Sequence, residues 1–200
     1  SEYMLAGVLM LRKKLHLYQK NMEQHLWKDE GEVLSIRDSV TLVVGLGDIG
    51  SQFAEKMHAL GSEVIGVRKH KAARPDYIKE VCQQEDLDRL LPKADIVACC
   101  MPGTGETAGM FDLERMKKMK PGAILINVGR GSLIVNDDLV RILSAGHLKG
   151  AVLDVSETEP LAEESPLWDM ENVILTPHIA GPSFGGDRMT ENLIWDICIQ

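Results

Sequence analysis

The sequence predicts an α/β fold, a doubly wound parallel sheet with helices on both faces, in one domain covering residues 1–200. Three observations carry that prediction. Short, continuously apolar runs alternate with helical spacings along most of the chain. One such run, Thr41-Leu-Val-Val44, enters the glycine-rich turn Gly45-Leu-Gly-Asp-Ile-Gly50, which opens a helix. Finally, 200 residues with 44% hydrophobic content suit a single well-packed core. An apolar run without polar alternation marks a strand buried on both faces, and such strands need crossover helices above and below.

The elements follow in order. Residues 2–27 contain no proline and place Met4, Val8, Leu11, Leu15 and Tyr18 at helical spacings, predicting one long helix whose apolar stripe needs a cover. A turn over Lys28–Ser39 leads to a strand at Val40–Val44, and Phe53, Met57 and Leu60 mark the helix Ser51–Leu60. Further strands are expected at Glu63–Val67, Asp95–Cys100, Ala123–Val128, Gly150–Val155 and Val173–Thr176. Helices are expected between them at Asp86–Leu91, Leu113–Met119 and Asp137–Ser144. A last helix starts near Pro182, a residue suited to a first turn, and carries Met189, Leu193, Ile194 and Ile197. The domain therefore has a leading helix within residues 1–30 and a returning helix over 182–200.

Charge and cysteine content narrow the function classes. A net charge of −8 argues against a nucleic-acid or membrane-surface partner, so any anion must be held by a local site. Cys82, Cys99, Cys100 and Cys198 lack metal-ligand spacing and read as reduced residues of a cytoplasmic protein. The six histidines show no ligand spacing either, so no metal is expected. No apolar run has the length of a membrane span, and the acidic opening Ser1-Glu2 is unlike a signal peptide.

Gly45-x-Gly47-x-x-Gly50 gains meaning from its context, after a strand and before a helix. The first glycine can make the tight turn, the second lets the backbone approach a pyrophosphate, and the third lets helix and strand pack closely. The helix start, with Asp48 and Ile49 between the glycines, offers unpaired N–H groups and partial positive charge. This is the fingerprint of a Rossmann-type dinucleotide site. Gly103-Thr-Gly105 and Gly129-Arg-Gly131 follow later strands and read as loops lining the same site.

At the end of the second strand an acid would accept from the adenosine ribose hydroxyls, whereas arginine can accommodate a 2′-phosphate. Arg68 stands there, followed by Lys69, His70 and Lys71. Charge-assisted hydrogen bonds of about 1.5–3 kcal/mol favour NADP(H) over NAD(H). The competing reading is a solvated basic turn without cofactor preference.

Three polar residues sit in loops after predicted strands: Arg130 in Ile126-Asn-Val-Gly-Arg-Gly-Ser132, Glu159 in Leu153-Asp-Val-Ser-Glu-Thr-Glu-Pro-Leu161, and His178 in Leu175-Thr-Pro-His-Ile-Ala-Gly181. Together with Met119-Lys-Pro-Gly-Ala-Ile-Leu-Ile-Asn-Val-Gly-Arg-Gly-Ser132 these stretches resemble the D-isomer-specific 2-hydroxyacid dehydrogenase family, nearly from Ser1 to Gln200.

The resemblance implies reversible hydride transfer between nicotinamide and a 2-keto or D-2-hydroxy acid. Arg130 would grip the substrate carboxylate, His178 would protonate the carbonyl oxygen, and Glu159 would orient the imidazole. Asp154 would stand near the nicotinamide carboxamide. Cys100, Pro102, Thr107, Val128, Gly129 and Gly181 would line the cofactor groove. The resemblance also implies a homodimer, in which the apolar face of the first helix meets a partner.

Two residues depart from the family pattern: Arg68 replaces the usual acid, and Ser156 replaces a common aromatic near Glu159. Family members also carry a smaller substrate domain, so the chain is expected to be the cofactor-binding domain alone, poorly active by itself. A non-catalytic dinucleotide-sensing module, like the family's corepressors, remains the alternative. A formate dehydrogenase is disfavoured because that branch pairs its histidine with glutamine.

Overall fold

The structure, a computed structural model, describes residues 1–70 and 73–181. The helix expected over 182–200 lies outside the described residues. Seven strands form one all-parallel sheet in the order β3-β2-β1-β4-β5-β6-β7. They are β1 (Val40–Val44), β2 (Glu63–Val67), β3 (Glu80–Cys82), β4 (Ile96–Cys99), β5 (Ile124–Asn127), β6 (Gly150–Leu153) and β7 (Val173–Leu175). The strands expected at Val40–Val44 and Glu63–Val67 form with those bounds, paired from Val40 with Glu63 to Val44 with Val67.

Period-two alternation splits the apolar strand residues between two cores. Leu42, Val44, Val97 and Leu125 face one side, where α4 (Leu87–Leu90), α5 (Leu113–Met116) and α6 (Asn136–Ser144) supply Leu87, Met116 and Leu139. Val43, Ile96, Ala98, Ile124 and Val152 face the other, beneath α1 (Glu2–Arg12) and α3 (Asp48–Ala59). Burial on both faces is why these strands are continuously apolar. Phe53 and Met57 of α3 are fully buried, each contributing about 1.5–3 kcal/mol by area removed from water.

The expected single helix over 2–27 is two helices, α1 and α2 (Leu15–Glu23). They break at Lys14, which takes a left-handed conformation with φ 57°. Packing explains the break. Met4, Val8 and Leu11 are buried against this chain's own sheet, whereas α2 has no buried residue and Leu15 is exposed. Arg12 and Lys14 instead donate to the carbonyls of Ser35 and Glu30, tying in the segment that returns to β1. The apolar stripe is thus covered within the chain from Met4 to Leu11, while its continuation in α2 is not.

β3 lies outside the expected elements. It is three residues long, starts on Glu80 and borders the sheet edge, so it carries no apolar run. No helix among the described residues is long and apolar enough to cross a membrane.

Candidate active site

β1 connects onward to β2 on one side of the sheet, while its other neighbour β4 leads to β5, so a crevice opens at their C-terminal ends. Gly45 turns the chain there with φ +105°, a conformation that strains any residue with a Cβ. A Cβ would also lie 2.8 Å from the carbonyl carbon and oxygen of Cys100. At Gly50 it would lie 1.9 Å from the Gly45 oxygen, so α3 begins directly against the loop. Gly47, the residue before α3, is different: a Cβ there meets nothing within 4 Å. Asp48 and Ile49 form the exposed first turn, whose N–H groups have no partner within the helix. The cradle is crowded where the chain turns and open where a ligand would approach. Those features fit a dinucleotide pyrophosphate.

Arg68 and Lys69 follow β2 and flank this cradle in a cavity of about 350 Å³ that also takes in Pro102 and Thr107. The Arg68 amide donates to the Cys82 carbonyl of the edge strand at 3.1 Å, and its Nε is buried without a hydrogen-bond partner among the described residues. Lys69 Nζ lies 2.7 Å from Glu106 Oε2.

The loop after β4 closes on itself. Thr107 is buried, and its hydroxyl accepts from the Thr104 amide at 2.8 Å and donates to the Pro102 carbonyl at 3.0 Å. The Cys100 Sγ turns toward Met4 Sδ at 3.6 Å, and burial raises its thiol pKa to about 12, so it stays protonated. Cys100 therefore meets the glycine loop with its backbone.

Arg130 follows β5 in a loop set by the buried Asn127, whose side chain donates to the Arg130 carbonyl at 2.9 Å and accepts from the Gly129 amide at 3.1 Å. The Val128 amide donates to Cys99 at 3.1 Å, holding this loop beside β4. Two close backbone approaches place it further. A Cβ on Gly129 would lie 2.4 Å from the Met101 carbonyl, and one on Gly131 would lie 1.7 Å from the Ser156 carbonyl. The Arg130 side chain is exposed, within 3.0 Å of where a Cβ on Gly103 would stand.

Asp154 follows β6 directly, buried and fully engaged. One oxygen accepts from Thr176 Oγ1 at 2.5 Å and from the Ile179 amide at 2.8 Å, and the other accepts from the Ala180 amide at 2.8 Å. Its carbonyl accepts from the His178 amide at 2.8 Å. These four bonds fix the loop after β7 and hold His178 at φ 57°, left-handed for a residue with a Cβ. The result is a contact of 2.8 Å between His178 Nδ1 and Glu159 Oε2. That hydrogen bond, with a smaller contribution from the Ser156 amide and the nearby Arg130 charge, holds the Glu159 carboxyl below its ordinary pKa, against the opposing effect of burial. Gly181 follows, exposed at the end of the described segment.

The residues named from sequence thus gather at one sheet edge in two groups. The glycine loop, Arg68, Lys69, Pro102 and Thr107 form the first. Asp154, Glu159 and His178 border a second cavity of about 600 Å³ with Trp168. Arg130 lines neither cavity; Gly103 and Gly131 seat its loop between them. Asn127, Gly131 and Thr176 lie within the sequence motifs without a role of their own there, and Glu106 was not singled out. Asn127 stands three residues before Arg130 and Thr176 two before His178, so proximity was a usable signal. Nothing local pointed from Glu106 to Lys69, 37 residues away.

Comparison with known proteins agrees with this geometry. The family described as D-isomer specific 2-hydroxyacid dehydrogenase, NAD binding domain, matches residues 5–180. A glyoxylate/hydroxypyruvate reductase A from Salmonella paratyphi B is 33% identical over 179 residues, covering 90% of this chain and 57% of the relative. A D-isomer specific 2-hydroxyacid dehydrogenase family protein from Aeromonas salmonicida superposes with TM-score 0.86 at 37% identity, over 100% of this chain and 64% of that one. A probable 2-hydroxyacid dehydrogenase from Rhizobium etli, in complex with NADP, superposes with TM-score 0.86 at 32% identity, over 98% and 63%. The chain spans between 34% and 59% of the length of the curated relatives it matches. By sequence and by fold, the chain belongs to the D-isomer specific 2-hydroxyacid dehydrogenases, through their NAD-binding domain.

Proposed function

We propose that this chain serves an NAD(P)-dependent oxidoreductase that interconverts 2-keto acids and D-2-hydroxy acids, with NADP(H) preferred over NAD(H). The observation that carries the reading is the His178–Glu159 contact at 2.8 Å on the same sheet edge as the glycine cradle. A dinucleotide bound there supplies or accepts the hydride. The protein residues do the rest. Arg130 offers a rigid fork of donors suited to a carboxylate. His178, with Nδ1 engaged by Glu159, has Nε2 left to give or take the proton at the substrate oxygen, a role that contributes about 10²–10⁴ in rate. Glu159 acts through the imidazole as a positioning residue, and Asp154 fixes the loop that presents it.

The preference for NADP(H) rests on Arg68 and Lys69, which border the cradle where a ribose acid would otherwise stand. The NADP complex of the Rhizobium etli relative supports it by analogy. A homodimer is part of the same reading. It draws on the exposed Met22 in the last turn of α2 and on the exposed Leu26 and fully exposed Trp27 beyond it, apolar area of the kind that marks an interface.

The test is a parallel titration with NADPH and NADH, followed by nicotinamide fluorescence and repeated with Arg68→Asp. Tighter binding of NADPH that reverses in the variant is expected. Oxamate, a 2-keto acid analogue, should then quench the signal of the bound complex, and Arg130→Gln should lose that response. Binding of neither nucleotide would overturn the reading.

A further inference from the structure

The Lys69–Glu106 pair has a geometry that the dinucleotide reading does not use. Lys69 follows β2 and Glu106 lies in the loop after β4, and β1 runs between those strands. Their 2.7 Å contact therefore passes over the end of β1, where Gly45 and Gly47 form the cradle. Both side chains border the same cavity as Arg68. The backbone under Lys69 is tied down, since its carbonyl accepts from Gln83 Nε2 at 3.4 Å. The two charged groups are 65% and 70% exposed, so the pair is easily exchanged. Among the described residues, the buried Arg68 Nε has no hydrogen-bond partner.

Resting on the assignment of this cavity to the adenosine end of a dinucleotide, we propose that Glu106 is a specificity-determining residue. It occupies Lys69 in place of a 2′-phosphate and so restrains the preference for NADP(H). A 2′-phosphate that engages Lys69 must displace the carboxylate and then lie beside it, like charge facing like charge. A 2′-hydroxyl carries no charge and leaves the pair intact. Glu106 thus weakens one cofactor and spares the other, keeping a basic pocket usable by both.

Glu106→Gln keeps the side-chain length and removes the charge. Its affinity for NADPH and for adenosine 2′,5′-bisphosphate should rise about three- to tenfold, the range expected for an exposed ion pair plus close repulsion. Affinity for NADH and adenosine 5′-phosphate should stay within twofold. The gain should shrink in 0.5 M salt, where screening reaches only a few ångströms, and in a Lys69→Ala background. Equal changes for both nucleotides, or the same gain without Lys69, would overturn the proposal. If wild type binds both nucleotides but Glu106→Gln leaves their ratio unchanged, the dinucleotide reading stands and the role of Glu106 falls. If neither nucleotide binds any variant, both fall. Matching thermal melts confirm that the variants fold alike.

Discussion

Glu159 Oε2 and His178 Nδ1 lie 2.8 Å apart, joining the loop after β6 to the loop after β7. Neither loop makes that contact alone. Asp154 bonds the amides of Ile179 and Ala180 and so turns the imidazole toward the carboxylate, while the Ser156 amide, 3.2 Å from Glu159 Oε1, steadies the acid.

The contact is readable through Glu159. Its carboxyl titrates below the ordinary 4.5, chiefly because of the hydrogen bond from His178. In His178→Ala that donor is gone, so the carboxyl should titrate closer to 4.5, moving upward in pH. Carbon-13 NMR of the Glu159 carboxyl measures this. An unchanged midpoint would mean that the pair is not formed in solution.

Glycines 47 and 131 should respond in opposite ways to alanine. A Cβ on Gly47 has open space, so Gly47→Ala should change stability by no more than about 1 kcal/mol, the scale of a helix-cap effect. Nucleotide affinity should nonetheless fall about tenfold, because the methyl intrudes where a pyrophosphate approaches the backbone. Gly131→Ala meets the Ser156 carbonyl at 1.7 Å, which forces the Arg130 and Glu159 loops apart. It should destabilise by about 1–3 kcal/mol, the usual range for disrupting a tightly packed site. Thermal melts and NADPH titration of both variants separate the two effects.

The contrast between those glycines shows what the sequence carried. The run Val40–Val44 ending at Gly45 specified strand, turn and helix because buried strands and tight turns each leave a local composition. β3 left none, being short, at an edge and begun by a glutamate. The break at Lys14 was hidden for another reason. Leu15 and Tyr18 continue the helical spacing, yet burial of the apolar stripe ends at Leu11, and spacing alone does not say where a core stops. At the site, Arg130, Glu159 and His178 were legible as motif residues. The link that seats them, Gly131 against Ser156, is a contact between two loops and has no sequence period.

Asp154→Asn should unfasten the His178 loop without unfolding the sheet. The carboxylate accepts three bonds on its two oxygens, whereas an amide keeps one oxygen and presents N–H groups to a backbone donor. At least one of the amides of Ile179 and Ala180 loses its acceptor, at a cost of about 1–3 kcal/mol. Hydrogen exchange at Ile179 and Ala180 should accelerate by one to two orders of magnitude, while Val43 and Ile124 in the sheet centre stay protected. Uniform acceleration across the sheet would show instead that Asp154 supports the whole fold.

Asp95 offers a stability test at the opposite edge of the sheet. Its carboxylate accepts from the Val40 amide at 2.8 Å and pairs with Lys120 at 2.6 Å, joining the start of β1 to the segment before β5. Burial alone would raise its pKa, but the Lys120 and Val40 hydrogen bonds outweigh burial and hold it below 3.8. A depressed folded-state pKa means that the native protein favours the charged form. The stabilisation is therefore complete above the unfolded value of about 3.9 and disappears as pH falls through the lower folded value. Asp95→Asn should cost about 1–2 kcal/mol at pH 7, a charged hydrogen bond discounted for partial exposure. The difference between wild type and variant, read from urea midpoints, should stay constant from pH 7 to about pH 5 and narrow only below about pH 4. A gap that widened on acidification would reverse the sign and exclude the ion pair as its source.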